Sequence, residues 1–174
     1  GETITVSGTG FAPNAPATNG TRPPLAGQFG GVYVVLGAVA DTWKPSDGAA
    51  SSARQVVQQK WVVNPESVNQ IGGANAGAVA INSDGSFQVE FAVSKAAAEA
   101  LTRPNFGVYT FAGSGAVVPA FETFTPLTFA APAPTPTVSV STTSDLDPAG
   151  ETITVSGTGF APNAPATNGT RPPL

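Results

Sequence analysis

The chain has no cysteine, no methionine and no histidine among its 174 residues. Without histidine or cysteine, no Ser-His-Asp or Cys-His relay can be assembled, and no conventional zinc site can form. Without cysteine, no disulfide can brace the fold, so core packing alone must hold it. The lack of both sulfur residues also removes the side chains most easily oxidised, which suits a long-lived surface protein. Charge is scarce too: Asp, Glu, Lys and Arg make up 10% of the chain, against about 25% in an average soluble domain. The seven Lys and Arg are scattered singly and the net charge is −4. No basic stripe exists to collect phosphates, so nucleic acid is not an expected partner. No apolar run of about 18 residues occurs, so membrane insertion is not expected either.

What remains is rich in turn and strand formers. Gly 20 and Pro 17 are both high, hydrophobic residues reach 41% and aromatics 8%. This is the profile of short strands joined by many turns and solubilised by hydroxyls and amides rather than by charge.

The strongest signal is a repeat. GETITVSGTGFAPNAPATNGTRPPL, from Gly1 to Leu25, returns without a substitution from Gly150 to Leu174, an offset of 149 residues. Two origins fit, a tandem array of near-identical repeats or a duplicated or permuted sequence, and the array is favoured. AAPAPTP, residues 130–136, reads as an extended Pro/Ala linker and places a domain boundary there. The natural unit then begins with Thr137-Val138-Ser139-Val140-Ser141 and runs on into the second GETITVSGTGF. Residues 1–129 are accordingly expected to lack their own first strand, and further sequence is expected upstream of Gly1. Residues 137–174 are the start of the next identical repeat, with Val138, Ser139, Val140 and Ser141 as candidates for strand donation in cis or in trans. A tail this short should be ordered only by packing on another domain.

Alternating Thr3-Ile4-Thr5-Val6 and the apolar run Val32-Tyr33-Val34-Val35-Leu36 read as strands, the latter central and buried on both faces. Lys60–Val63, 106–111, 121–129 and Val138–Val140 add further strands. Asn82-Ser83-Asp84-Gly85 between Ala78–Ile81 and Ser86–Val93 is a hairpin cue, because glycine tolerates positive φ. Phe87, Val89, Phe91 and Val93 should share a core-facing side. Ser94 is a candidate N-cap for one short helix over Lys95–Leu101, and 64–77 reads as a Gly/Asn-rich loop. The expected fold is an all-β, antiparallel sandwich with one short connecting helix.

PTVSVSTTSDLDPAGETITVSGTGFAPN and SDGSFQVEFAV resemble the opening strands and hairpin of actinobacterial immunoglobulin-like domains, distantly including the neocarzinostatin-type proteins. GVYVVLGAVADTWKPS, QKWVV, NFGVYTFAGSGA and ETFTPLTF are similar to larger surface-protein modules of high-GC Gram-positive bacteria, some of which also carry haem-uptake domains. The resemblance covers most of residues 1–129 and 137–161. It implies an immunoglobulin-like sandwich and a location outside the cell or on the cell wall. It does not extend to the disulfides that flank the ligand cleft of the neocarzinostatin-type proteins, since this chain has no cysteine.

Among candidate sites, the eleven carboxylates permit a glycosidase-like pair in principle. Glu90 and Glu122, however, read as solvent-facing residues of alternating strands, so no catalytic residue, enzymatic activity or cofactor is expected. Trp43, Lys44, Trp61 and Tyr109 are the possible ligand contacts, for a host or cell-wall glycan or a small apolar molecule, with core filling as the competing reading. Tyr33 and Tyr109 would be the available haem ligands. Asp145, Asp147 and Glu151 form a weak Ca²⁺ candidate beside the linker, against a simple turn over Asp147-Pro148-Ala149-Gly150. Lys44, Lys60 and Lys95 are the lysines available to an isopeptide crosslink. Asn19-Gly20-Thr21, repeated at Asn168-Gly169-Thr170, matches a glycosylation acceptor and marks an exposed loop. The reading that unites these features is a structural or adhesive repeat, such as a stalk, spacer or filament subunit, whose main partners are neighbouring copies. The competing class is a ligand-binding module using loops at one end of the sandwich.

Overall fold

The computed structural model describes residues 1–162. The chain is mostly β and divides between Phe129 and Ala130 into two compact units. The first contains strands β1 (Glu2–Gly8), β2 (Val32–Val39), β3 (Arg54–Val63), β4 (Ala78–Ala80), β5 (Phe87–Val93), β6 (Asn105–Ala112) and β7 (Thr123–Pro126), with a single α-helix, α1 (Lys95–Glu99). β1 and β5 form a two-stranded antiparallel sheet; β4, β3, β2, β6 and β7, in that order, form a five-stranded mixed sheet. The second unit contains β8 (Thr137–Val140) and β9 (Val155–Thr158), paired antiparallel.

The period-2 pattern of β5 decides the layering. Phe87, Val89 and Phe91 are buried while Gln88, Glu90 and Ala92 are exposed, as expected of a strand with one wet face. Together with Ile4 and Val6 of β1, the buried face packs on Val32, Val34, Leu36, Val62 and Val108 of the larger sheet. β2 lies in the middle of that sheet, and its other side chains, Val35 and Val39, enter a second cluster with Trp43 and Tyr109. Burial on both faces explains why β2 is a continuous apolar run rather than an alternating one.

The β2–β3 register shifts between Leu36 and Gly37. The two backbones come so close that a Cβ on Gly37 would lie 1.9 Å from the Gln55 carbonyl oxygen. Only a residue without a side chain fits there.

Ser94 Oγ accepts from the Ala97 amide at 3.4 Å and starts α1 as the N-cap. The Asn82–Gly85 turn closes as its sequence suggests, with the Asn82 amide on the Ser86 carbonyl at 2.8 Å. It does not, however, make a hairpin. β4 pairs parallel with β3 and β5 pairs antiparallel with β1, so the turn carries the chain from one sheet to the other. The seven-residue register with β1 and the burial of Phe87 and Phe91 in the facing sheet's core outweigh the local hairpin preference.

In the tail, β8 pairs with β9, the second copy of part of β1, and the Thr137 and Thr158 hydroxyls meet at 2.8 Å. Every residue of both strands is nonetheless exposed.

Replacing Gly37 with alanine should force the β2–β3 bulge apart and destabilise the chain by about 1–3 kcal/mol. Urea denaturation read by tryptophan fluorescence checks this; an unchanged midpoint would show that the bulge can shift to admit a methyl group.

Candidate functional site

The outer face of the five-stranded sheet carries a row of aromatic rings set by strand register. Tyr33 on β2 stands opposite Trp61 on β3 and opposite Phe111 on β6. Their ring centroids lie 4.9 Å and 5.2 Å from that of Tyr33, at the separations cross-strand aromatic pairs favour. Tyr109, two positions before Phe111 on the same face, stacks on it at 6.1 Å, and Trp43 follows at 5.6 Å from Tyr109. Arg54, at the start of β3, places its guanidinium carbon 5.0 Å over the Phe111 ring and donates through Nη1 to the Trp43 carbonyl.

This face borders a cleft of about 560 Å³, lined among others by Arg22, Tyr33, Arg54, Tyr109, Phe111 and Val117. Tyr109 is fully buried, so two cations beside the half-buried rings of Tyr33 and Phe111 are what the cleft offers a flat or sugar-like ligand that carries negative charge.

Of the four residues expected to touch a ligand, Tyr109 alone lines the cleft. Trp43 is buried beneath it against Tyr109. Trp61 is half-buried and donates through Nε1 to the Gly30 carbonyl at 3.0 Å, which fixes the outer end of the row. Lys44 caps the short 3₁₀ turn Pro45–Asp47, its carbonyl accepting from the Asp47 amide at 3.1 Å. Arg22, Arg54 and Phe111 went unnoticed in the sequence. The alternation in NFGVYTF does put Tyr109 and Phe111 on one face, but nothing local brings Arg22 or Arg54 to them.

Glu122 is not solvent-facing. It is buried, and its carboxylate accepts from the Ser46 amide at 2.9 Å and from the Ser46 hydroxyl. The 3₁₀ turn Pro119–Phe121 breaks the strand alternation that would have sent Glu122 outward. Glu90 is exposed on β5 as expected.

Asp147 and Glu151 are engaged in a turn, and Asp145 lies exposed in a bend just before it. Asp147 accepts from the Ala149 amide at 2.8 Å, and Glu151 accepts from the Asp147 amide at 3.4 Å. Among the described residues, no group of three or more acidic side chains is placed to hold a metal ion. Lys95 pairs with Glu99 at 3.6 Å on the helix surface. Asn19 donates to the Gly27 carbonyl at 3.1 Å, while Asn168-Gly169-Thr170 lies outside the described residues. The strand-donation candidates Val138, Ser139 and Val140 lie in β8, and the Ser141 amide extends the ladder to the Thr154 carbonyl at 2.9 Å.

The chain matches none of the protein-family models, curated proteins or solved structures with which it was compared.

Burial pushes the Tyr109 phenol up to about 12 from the ordinary 10.0, with the Arg54 charge pulling the other way. Burial also raises Tyr33, against a backbone hydrogen bond at Ser114 that lowers it. The protonated phenol is thus favoured in the folded state. Its contribution to stability is complete below pH 10.0 and is lost as the pH rises through about 12. The wild-type chain should therefore lose stability over that window, and Tyr109→Phe should lose less of it there. Denaturation midpoints measured across the window check the slope, and identical slopes for the two proteins would contradict the burial of this phenol.

Proposed function

We propose that the chain is a structural or adhesive module of an extracellular or cell-wall fibre, a stalk, spacer or filament subunit whose main partners are neighbouring copies of itself. We read its body as an immunoglobulin-like sandwich, the β1–β5 pair forming one layer and the five-stranded sheet the other. One observation carries the reading: an identical 25-residue segment recurs at an offset of 149 residues, across a Pro/Ala segment that begins where the first compact unit ends. Near-identical units joined by semi-rigid linkers are what a protein needs when its product is reach. The sulfur-free composition supports service outside the cell. The aromatic face supports a mechanical role as well, because its rings are engaged chiefly with one another.

The cleft bordered by Arg22 and Arg54 favours a second reading, a module that binds an acidic glycan. A saturable change in tryptophan fluorescence on titration with uronic-acid oligosaccharides would support it, Arg54→Gln abolishing the response.

The array reading is tested by pulling a concatemer of three complete 149-residue periods end to end. Each body should unfold as one event, releasing about 430 Å for 129 residues at roughly 3.3 Å each, and the events should be evenly spaced. A concatemer that extends smoothly, with no resolved events, would overturn the array of separately folded units.

A further inference from the structure

The body and the tail contain the same sequence in two settings. Val155–Thr158 of β9 is the second copy of Val6–Thr9, and β9 pairs with β8 through Thr137↔Thr158, Val138↔Gly157, Ser139↔Ser156 and Val140↔Val155. In the body, β5 takes one edge of β1 and lies towards β3, where Gln58 Nε2 donates to the Ala92 carbonyl at 2.6 Å. Among the described residues, no strand pairs with the other edge of β1.

A groove of about 220 Å³ runs along Val6, Ser7, Gly8 and Thr9, reaching across to Thr110 of β6 and to Thr123 and Thr125 of β7. Its base is apolar, formed by Phe11, Phe87 and Val108. Gly8 belongs to that base because the Phe87 ring occupies the space its side chain would need: a Cβ there would lie 2.3 Å from Phe87 Cζ.

We infer that this groove is the seat of the segment Thr137–Ser141 from a second copy of the chain, added antiparallel to β1 in the β8–β9 register. That register sets Val138 opposite Gly8, Val140 opposite Val6, Ser139 opposite Ser7 and Thr137 opposite Thr9. Residues directly opposite in an antiparallel pair share a face. Val138 and Val140 therefore turn towards Phe11, Phe87 and Val108, while Thr137 and Ser139 stay outside beside Thr9 and Ser7. Val138 packs across Gly8 against the Phe87 ring that fills the space beside it.

The exchange has a clear driving force. Backbone bonds to β9 are replaced by the same bonds to an identical sequence, so they nearly cancel. What changes is burial: Val138 and Val140 are 61% and 38% exposed beside β9. On the body they cover an apolar groove and close a strand edge. In sequence, Thr137–Ser141 follows one body and leads into the next copy of ETITVSG, so the same pairing can pass head to tail from each copy to the next.

The inference rests on the repeat-array reading and adds to it the contact between units. Ser7→Cys/Ser139→Cys introduces the two thiols of a chain that has no cysteine. With a short bifunctional thiol reagent, this variant should give a ladder of intermolecular adducts at least tenfold more abundant than Thr3→Cys/Ser139→Cys, which is displaced along β1. Val138→Asp/Val140→Asp should abolish growth of the wild-type mass with concentration in light scattering. Adducts confined to a single chain, equal yields from both cysteine pairs, or a wild-type mass that stays monomeric would each overturn the inference. None of these results changes the unfolding events of a concatemer, so the array reading stands or falls separately.

Discussion

The antiparallel pairing of Glu2–Gly8 with Phe87–Val93 is the interaction on which the body depends. It is the whole of the second layer. Without it, the inner face of the five-stranded sheet, with Val32, Val34, Leu36, Val62 and Val108, would meet water. The two strands are sequence-distant, so closing the layer costs loop entropy that only the shared apolar core can offset. β5 brings Phe87, Val89 and Phe91 to that core fully buried, while β1 contributes only the half-buried Ile4 and Val6. β1 is thus held more by its partner than by its own side chains.

The duplicated segment provides a control within the same chain. ETITVSG forms a seven-residue strand at Glu2–Gly8, where β5 is its neighbour, but only Val155–Thr158 is strand in the second copy, where β8 is. Phe11 is 7% exposed and the same phenylalanine at Phe160 is 61% exposed. Identical local propensity gives different strand lengths and different burial, so propensity sets what the segment can become and its surroundings set what it does become.

The same distinction governs what could be read from the sequence. β2 and β5 were legible because their patterns, continuous and alternating, report directly on two-sided and one-sided burial. The Ser94 cap and the Asn82–Gly85 turn were legible because their chemistry is local. What that turn connects was not, since the choice between pairing β5 with β4 or with β1 is made by a strand roughly 80 positions earlier in the chain. The aromatic face was half legible: alternation pairs Tyr109 with Phe111, whereas Trp43, Arg54 and the Glu122–Ser46 contact come together through register and turns. The four candidate contacts were picked as conspicuous residue types, and the structure uses Trp43 and Trp61 for packing because large rings on a crowded sheet face find one another before they find a ligand.

A repeat protein made of such units faces a particular constraint. Each body presents strand edges, and exposed edges invite uncontrolled pairing. Low charge removes the usual protection, since only 10% of residues are charged and few can guard an edge. Hydroxyl-rich strands such as Thr137–Val140 and Glu2–Gly8 hydrogen-bond readily with many partners, so their side chains alone give weak discrimination. Gly8 offers a sharper filter. The Phe87 ring fills the space its side chain would need, and a slip by one position would turn Thr137 or Ser139 towards that ring in place of a valine. Selectivity on this edge therefore comes from the shape of the layer beneath, and it is the layer, fixed by β5, that turns a promiscuous strand sequence into a specific one.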